Sequence, residues 1–306
     1  MMNELFLEKF NSFSQAYLPD FFNLYAYING KFLSGENAVI SVWDHGFLYG
    51  DGVFEGIREY SGNIFKLDEH IDRLYRSAFC LDISIPLTKE EFKEIIYKTC
   101  EINNLKNVRI RVLVTRGAGD IRMDPKRISS SPSVIVLVAP SGESNNLKRK
   151  LKLIITWIRR RSFTVIDSKI KTLNYVNNIL AKIEANRQGA DDAIMLDEFG
   201  YIAEATGANI FYIKDEIAYT PLTTQCLEGI TRKTVMEIVK EIGYLPVVEK
   251  NITSYDIYTA DEVLICGSTA EILPVCMVDG KKIRNGEVGK ITKQIIDSYS
   301  KKVNKY

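Results

Sequence analysis

The decapeptide SGESNNLKRK at 141–150 divides the chain. It is polar and turn-rich. The apolar period that runs up to it does not cross it but restarts beyond it. Each flank carries strand-like and helix-like patterns of its own, and each is long enough for a separate core. The expected organisation is therefore two α+β units, one over 25–140 and one over 151–306, with 141–150 as linker and residues 1–24 as an amphipathic lead-in. At 306 residues, 46% of them hydrophobic, two ordinary domains fit and global disorder is excluded.

In the first unit, a strand over 24–28 closes at Asn29-Gly30, a hairpin signal, and a second apolar stretch follows at 39–43. Val53 to Tyr60 alternates as a strand, with a turn at Ser61-Gly62-Asn63. Leu67, Ile71, Leu74 and Ala78 make one helical face. Thr88 with Glu91 is a capping box for another helix, with Phe92, Ile95 and Ile96 facing inward. Val108, Ile110, Val112 and Val114 share one strand face, Arg109 and Arg111 the other. A buried strand over 133–140 completes an antiparallel sheet. Beyond the linker, Leu151, Leu153, Ile155 and Trp157 alternate. A helix is expected with Val176, Ile179, Leu180 and Ile183 inward, stopped by Gly189. Short strands follow at 193–196, 201–205, 209–213 and 217–220. A helix from Thr231 ends at Gly243. Strands at 246–250 and 262–266 and a helix from about 288 close the chain.

A formal net charge of +1 leaves no electrostatic footprint for nucleic acid. Two histidines, His45 and His70, lack metal spacing. Five scattered cysteines without a C-x-x-C pair read as reduced thiols of a cytoplasmic protein. No segment reaches about eighteen apolar residues and no leader pattern opens the chain, so neither membrane insertion nor processing is expected. The one basic cluster, Arg159-Arg160-Arg161, reads as a solvated loop.

The chemistry-bearing candidates lie in loops. Gly229-Ile230-Thr231 runs into a helix N-terminus, whose free N–H groups and dipole suit a phosphate, although Thr231 also suits a plain N-cap. A strand ends in Gly267-Ser268-Thr269, small residues with two hydroxyls. Glu204 interrupts an otherwise small and apolar strand, and if buried it must face a proton or a cation. Arg73 lies beside a helical apolar stripe with Glu69 four residues earlier, the spacing of a surface ion pair. Arg109 and Arg111 repel unless an anion joins them. Lys169 and Lys171 precede a helix in a tract, DSKIKTLNYVNN, with little amphipathic logic. The glycine-dense YGDGVFEG (49–56) leads into a strand and is no dinucleotide loop. An anion cradle, an arginine, a buried acid and a lysine together suit pyridoxal phosphate. That cofactor needs a Schiff-base lysine, a phosphate seat and an acidic partner for its pyridinium nitrogen.

From about Tyr25 onward the chain resembles the class IV (fold-type IV) aminotransferases, and among them the branched-chain amino acid aminotransferases. The motifs that carry the resemblance are YINGKF, DHGFLYGDGVFEGIR, LDEHIDRL, IKTLNYVNNILAKIEA, AIMLDEFGYIAEATGANIF, LEGITR and GSTAEILPV, in that order. It implies a small α/β sandwich domain, a larger pseudo-barrel domain, pyridoxal 5'-phosphate between them, and a homodimer or higher homo-oligomer whose partner helps close the site. By motif position, Lys171 matches the Schiff-base lysine and Tyr175 the tyrosine on the cofactor's phenolic oxygen. Glu204 matches the pyridine-nitrogen partner and Arg73 the phosphate arginine. Leu227, Gly229, Ile230, Thr231, Ser268 and Thr269 complete the implied cofactor set. Tyr49, Phe54, Gly56, Arg58, Arg109, Arg111, Thr269 and Ala270 match substrate-pocket positions.

The implied reaction moves an amino group between L-leucine, L-isoleucine or L-valine and 2-oxoglutarate, as in branched-chain amino acid biosynthesis. Two departures bear on the substrate. The family's Tyr-Ile-Arg is Arg109-Ile110-Arg111 here, and its Gly-Asp-Leu-Gly-Leu-Asp-Pro loop is GDIRMDP, which introduces Arg122. Arginine binds carboxylates bidentately. The alternative expectation is therefore a D-amino acid aminotransferase, or an aminodeoxychorismate lyase, on the same fold.

Overall fold

A computed structural model describes residues 23–142, 146–243 and 246–305. The expected lead-in, apart from its last two residues, and 143–145 of the expected linker lie outside the described residues. The first unit is a six-stranded antiparallel sheet with helices against it. Its elements are β1 (Tyr25–Ile28), β2 (Lys31–Ser34), α1 (His45–Tyr49), β3 (Gly52–Tyr60), β4 (Asn63–Ile64), α2 (Leu67–Cys80), α3 (Lys89–Ile102), β5 (Val108–Thr115) and β6 (Val134–Pro140). The strand order is β2-β1-β6-β5-β3-β4. At the first hairpin Asn29 and Gly30 both have positive φ, 48° and 91°, as a two-residue primed turn requires. The capping box at Thr88 is formed in full. The expected α2 face is buried, and Phe92 and Ile96 pack with Val108, Ile110, Val112 and Val114. The apolar stretch 39–43 is not a strand, and Val39, Val42 and Trp43 stand exposed.

The second unit contains β7 (Leu151–Ile155), α4 (Val176–Arg187), β8 (Asp192–Leu196), β9 (Ile202–Ala205), β10 (Asn209–Lys214), β11 (Ile217–Thr220), α5 (Ile230–Ile242), β12 (Val247–Glu249), α6 (Ser254–Tyr258), β13 (Glu262–Gly267), β14 (Glu271–Val278), β15 (Lys281–Lys282) and α7 (Lys290–Lys305). Its sheet runs β12-β11-β10-β13-β14-β7-β8-β9, with β15 on β14. The β9 end returns toward β10, where the Ala205 N–H donates to the Ala208 carbonyl at 2.8 Å. The sheet thus curls around Leu153, Ile194, Ile202, Ile210 and Ile265. The fold is α+β with two domains. Tyr60 and Phe65 of the first unit share a core with Val235 and Ile238 of α5 and Ile295 and Tyr299 of α7. Burying those apolar faces together fixes one sheet against the other.

One helix is turned the other way from the expectation. In α4 the buried residues are Asn178, Ala181 and Ala185. Val176, Ile179, Leu180 and Ile183 face outward, Val176 at 69% exposure. The periodicity identified the helix correctly, but small residues are what the close approach to Ala193 and Met195 of β8 admits.

Candidate active site

Between the two sheets lies a cavity of about 440 Å³, and Lys171 is one of its walls. The tract before α4 holds this lysine by main-chain bonds to β3. The Phe54 N–H donates to the Lys171 carbonyl at 3.0 Å and the Leu173 N–H to the Gly52 carbonyl at 2.9 Å. The Lys171 N–H donates to Ser77 Oγ at 3.2 Å. A side chain at position 52 would put Cβ 2.6 Å from the Val114 carbonyl oxygen, so the close approach of this strand requires glycine there. Lys171 Nζ lies 3.4 Å from the Tyr175 hydroxyl and 4.5 Å from the centre of the Phe54 ring. Among the described residues no carboxylate forms an ion pair with it. Lys169, by contrast, is exposed and 4.0 Å from Glu228. The geometry separates the two lysines that composition left equivalent.

Glu204 enters from β9 and is buried. Its cation is Arg160, whose Nε lies 2.7 Å from Oε1. The other carboxylate oxygen accepts from Asn209 Nδ2 and from the Leu227 N–H, both at 3.2 Å. Arg160 is buried, which corrects the reading of 159–161 as a solvated loop; only Arg159 of the three is fully exposed. Burial disfavours the Arg160 charge, but the Glu204 carboxylate outweighs it and raises the pKa.

The third corner combines the N-terminus of α5 with Arg73 and Ser268. Gly229 is the N-cap residue of α5, so Ile230 and Thr231 are its first two residues and Thr231 is not the cap. A Cβ on Gly229 would collide with the Asn209 side-chain oxygen. The Thr231 and Ser268 hydroxyls are 3.4 Å apart. Arg73 Nη1 donates to the Glu228 carbonyl at 2.8 Å. Its partner is not Glu69 but Glu55, with Nε–Oε1 at 2.7 Å and Nη2–Oε2 at 2.9 Å. Glu55 also accepts from His70 Nδ1 at 2.8 Å. Burial pushes the Glu55 carboxyl up, yet Arg73 and His70 outweigh it and hold it far below the usual carboxylate range.

Phe54, Gly56, Arg111 and Thr269 also line the cavity, and the exposed Arg111 marks its mouth. The Arg111 guanidinium sits 4.6 Å over the Phe54 ring. Of the expected cofactor set, Arg73, Lys171, Tyr175, Glu204, Leu227, Gly229, Ile230, Thr231, Ser268 and Thr269 all line this one cavity. Four expected substrate residues do not. Tyr49 bonds the Ile121 carbonyl on the outer surface. Arg58 pairs with Glu271 at 3.2 Å in a neighbouring cavity. Arg109 lines an adjoining surface groove with Arg111 and Thr269. Ala270 packs against the curled sheet's core. The sequence reading missed Arg160, Glu55, His70 and Asn209. Glu55 had a signal, because strand alternation puts it on the core face with Val53 and Ile57.

A lysine amine, a buried carboxylate paired with an arginine, and a seat of N–H, hydroxyl and guanidinium donors meet in a space that fits pyridoxal phosphate. Fold and cavity together define a pyridoxal-phosphate-dependent transaminase. The model of the family "Amino-transferase class IV" matches residues 52–278, and the chain belongs to that family. It is 46% identical over 278 residues to the "Putative branched-chain-amino-acid aminotransferase" of Methanocaldococcus jannaschii, covering 89% of this chain and 94% of that one. It is 35% identical to the "D-alanine aminotransferase" of Listeria monocytogenes, over 88% and 92% of the two chains. Among solved structures, the branched-chain aminotransferase of the thermophilic archaeon Thermoproteus uzoniensis, solved with norvaline, superposes with a TM-score of 0.84. That match is 32% identical and covers 92% of this chain and 94% of the other.

Proposed function

We propose that the protein transfers the amino group of L-leucine, L-isoleucine or L-valine to 2-oxoglutarate. The observation that carries this is the placement of Lys171 Nζ, free of any carboxylate among the described residues, in one cavity with Glu204 and the anion seat. The bound pyridoxal ring supplies an electron sink for the charge left on the substrate Cα. Lys171 Nζ is the base that takes the Cα proton and the acid that returns it. Glu204, paired with Arg160, holds a proton at the pyridine nitrogen. Arg73, Thr231, Ser268 and the N-terminus of α5 bind and orient the phosphate. Phe54 and Gly56 shape the side-chain pocket, and Arg111 binds a carboxylate at the mouth.

The test is single-turnover: the yellow holoenzyme is mixed with one amino acid and no oxo-acid acceptor. Rapid loss of the visible band with L-leucine, L-isoleucine and L-valine is expected. Response only to D-alanine or D-glutamate would overturn the substrate assignment and establish the second reading. That reading is favoured by Arg109 and by the similarity to a D-alanine aminotransferase.

We further propose a homodimer or higher homo-oligomer. The outward apolar face of α4 and the exposed Val39, Val42, Trp43 and Phe47 are the surface it would cover. Light scattering on the purified protein tests it, and a monomer at micromolar concentration would sink it. Five free cysteines support a reducing, cytoplasmic location. No helix among the described residues is long and apolar enough to cross a membrane. Cell fractionation that recovered the protein outside the cytoplasm would refute that location.

A further inference from the structure

Behind the anion seat, a buried chain of polar groups ends on a hydroxyl of the seat itself. His70 Nδ1 is 2.8 Å from Glu55 Oε2, and His70 Nε2 is 3.1 Å from Ser268 Oγ. Ser268 Oγ in turn is 3.4 Å from Thr231 Oγ1. His70 and Glu55 are at most 1% exposed. Because the Glu55 carboxylate can only accept, His70 Nδ1 carries a proton. The state of Nε2 then decides what Ser268 can do. With Nε2 bare, the ring is neutral and Nε2 is an acceptor, so the Ser268 O–H points at His70 and the seat sees only lone pairs. With Nε2 protonated, the ring donates to Ser268 Oγ, and the hydroxyl hydrogen is free to turn into the seat. A phosphate monoester in its dianionic form offers only acceptors there.

We propose that Glu55 and His70 are positioning residues for the cofactor's phosphate: occupancy of the seat by a phosphate ester draws a proton onto His70 Nε2, which turns the Ser268 hydroxyl from acceptor to donor. The proton comes from solvent and resides on the imidazole. No covalent bond is made or broken. The charged groups facing His70 are Glu55 on β3, Arg73 on its own helix α2, and Lys171 in the tract before α4. Without an anion in the seat, burial lowers the His70 pKa against the pull of Glu55, and Arg73 and Lys171 add to the lowering. A phosphate ester adds negative charge beside Ser268 and reverses that balance. The proposal rests on the reading of this corner as a phosphate seat, and the experiment separates the two.

The chain has only two histidines, His45 and His70. Proton–carbon NMR of labelled imidazoles can therefore follow both, with His45→Asn giving the assignment. The wild-type enzyme is titrated with pH when loaded with pyridoxal phosphate and when loaded with pyridoxal, which has the same aldehyde and no phosphate. The expected result is a His70 pKa at least about one unit higher with the phosphate, with His45 unchanged. One unit corresponds to a tenfold linkage between affinity and protonation. Ser268→Ala should then weaken pyridoxal phosphate while leaving pyridoxal affinity unaltered. Equal His70 titrations in the two loaded forms, with pyridoxal phosphate still bound much more tightly than pyridoxal, would overturn the relay but keep the seat. Equal affinities for the two would overturn the seat itself.

Discussion

The floor and the mouth of the cavity are built on opposite electrostatic plans. On the floor each carboxylate and each guanidinium group has a partner supplied by the chain: Glu204 with Arg160, and Arg73 with Glu55. These pairs are buried, so their geometry is set before any ligand arrives. At the mouth, Arg111, and in the adjoining groove Arg109, lie two apart on β5 with no carboxylate in ion-pair range among the described residues, and both are exposed. A paired floor holds one cofactor in one orientation. An unpaired mouth is left to be completed by whichever carboxylate enters. Removing a floor residue should therefore strand a buried charge or the chemistry itself, whereas removing a mouth residue should change only how a substrate is held.

The largest effect falls on Lys171, the floor group without an ionic partner. Lys171→Ala is expected to lower kcat by about 10⁴-fold, the upper range of positioned acid–base catalysis, and to abolish the visible band of the bound cofactor. A variant that kept both would remove Lys171 from the chemistry. Next comes Arg160→Met, which leaves the Glu204 carboxylate buried without its cation. The expected loss is about 3–5 kcal/mol in denaturant unfolding. Adding Glu204→Gln should recover part of it, because the stranded charge is then gone. If the double variant is as unstable as the single one, packing of the arginine stem matters more than the pair.

The other floor carboxylate makes a prediction in pH. The folded-state pKa of Glu55 is depressed below its ordinary value of 4.5. Its contribution to stability is thus complete above that value and disappears as pH falls from there through the folded-state value. Glu55→Gln should flatten the fall in stability on acidification below pH 4.5 while lowering stability at neutral pH, measured by urea unfolding across pH. An unchanged acid slope would contradict the depressed pKa.

Much of this contrast is legible in the amino-acid sequence. Lys171, Glu204, Arg73 and the Gly229–Thr231 turn follow from motif position, and the structure brings them to one cavity. What the sequence hid was pairing across long separations. Arg160 sits in a run of three arginines, and nothing local says that the middle one turns inward to a strand 44 positions away. The inversion of α4 was hidden for a different reason. An apolar stripe marks a helix but not which neighbour lies beneath it, and here the small Ala181 and Ala185 took the inner side. The α2 stripe, read by the same rule, was placed correctly because its cover is the adjacent β3.

At the mouth the expected effects are smaller and kinetic. Arg111→Ala should raise KM for 2-oxoglutarate about 10–100-fold, the value of one charge-assisted contact, with kcat and folding stability nearly unchanged. Arg109→Tyr introduces the tyrosine that the resemblance places at this position. It should shift the ratio of kcat/KM between acidic and branched-chain substrates toward the branched ones, by a smaller factor than the Arg111 change. Equal effects on kcat and on unfolding would mean that these arginines support the fold and that the two ends of the cavity do not differ in kind.

A control far from both ends sets the scale for a loss that is structural alone. At the start of α3, Thr88 Oγ1 accepts from the Glu91 N–H at 3.2 Å, and the Glu91 carboxylate accepts from the Thr88 N–H at 2.7 Å. Neither residue lines the cavity. Thr88→Ala removes one half of this reciprocal cap and should cost about 1 kcal/mol in unfolding, with kcat/KM for every substrate unchanged. The comparison then has two fixed points. A variant of a floor ion pair must exceed the cap variant in stability loss, and a mouth variant must fall below it while exceeding it in KM. A mouth variant that reproduced the cap variant's behaviour, destabilised and kinetically silent, would show that Arg109 and Arg111 bind nothing that turns over.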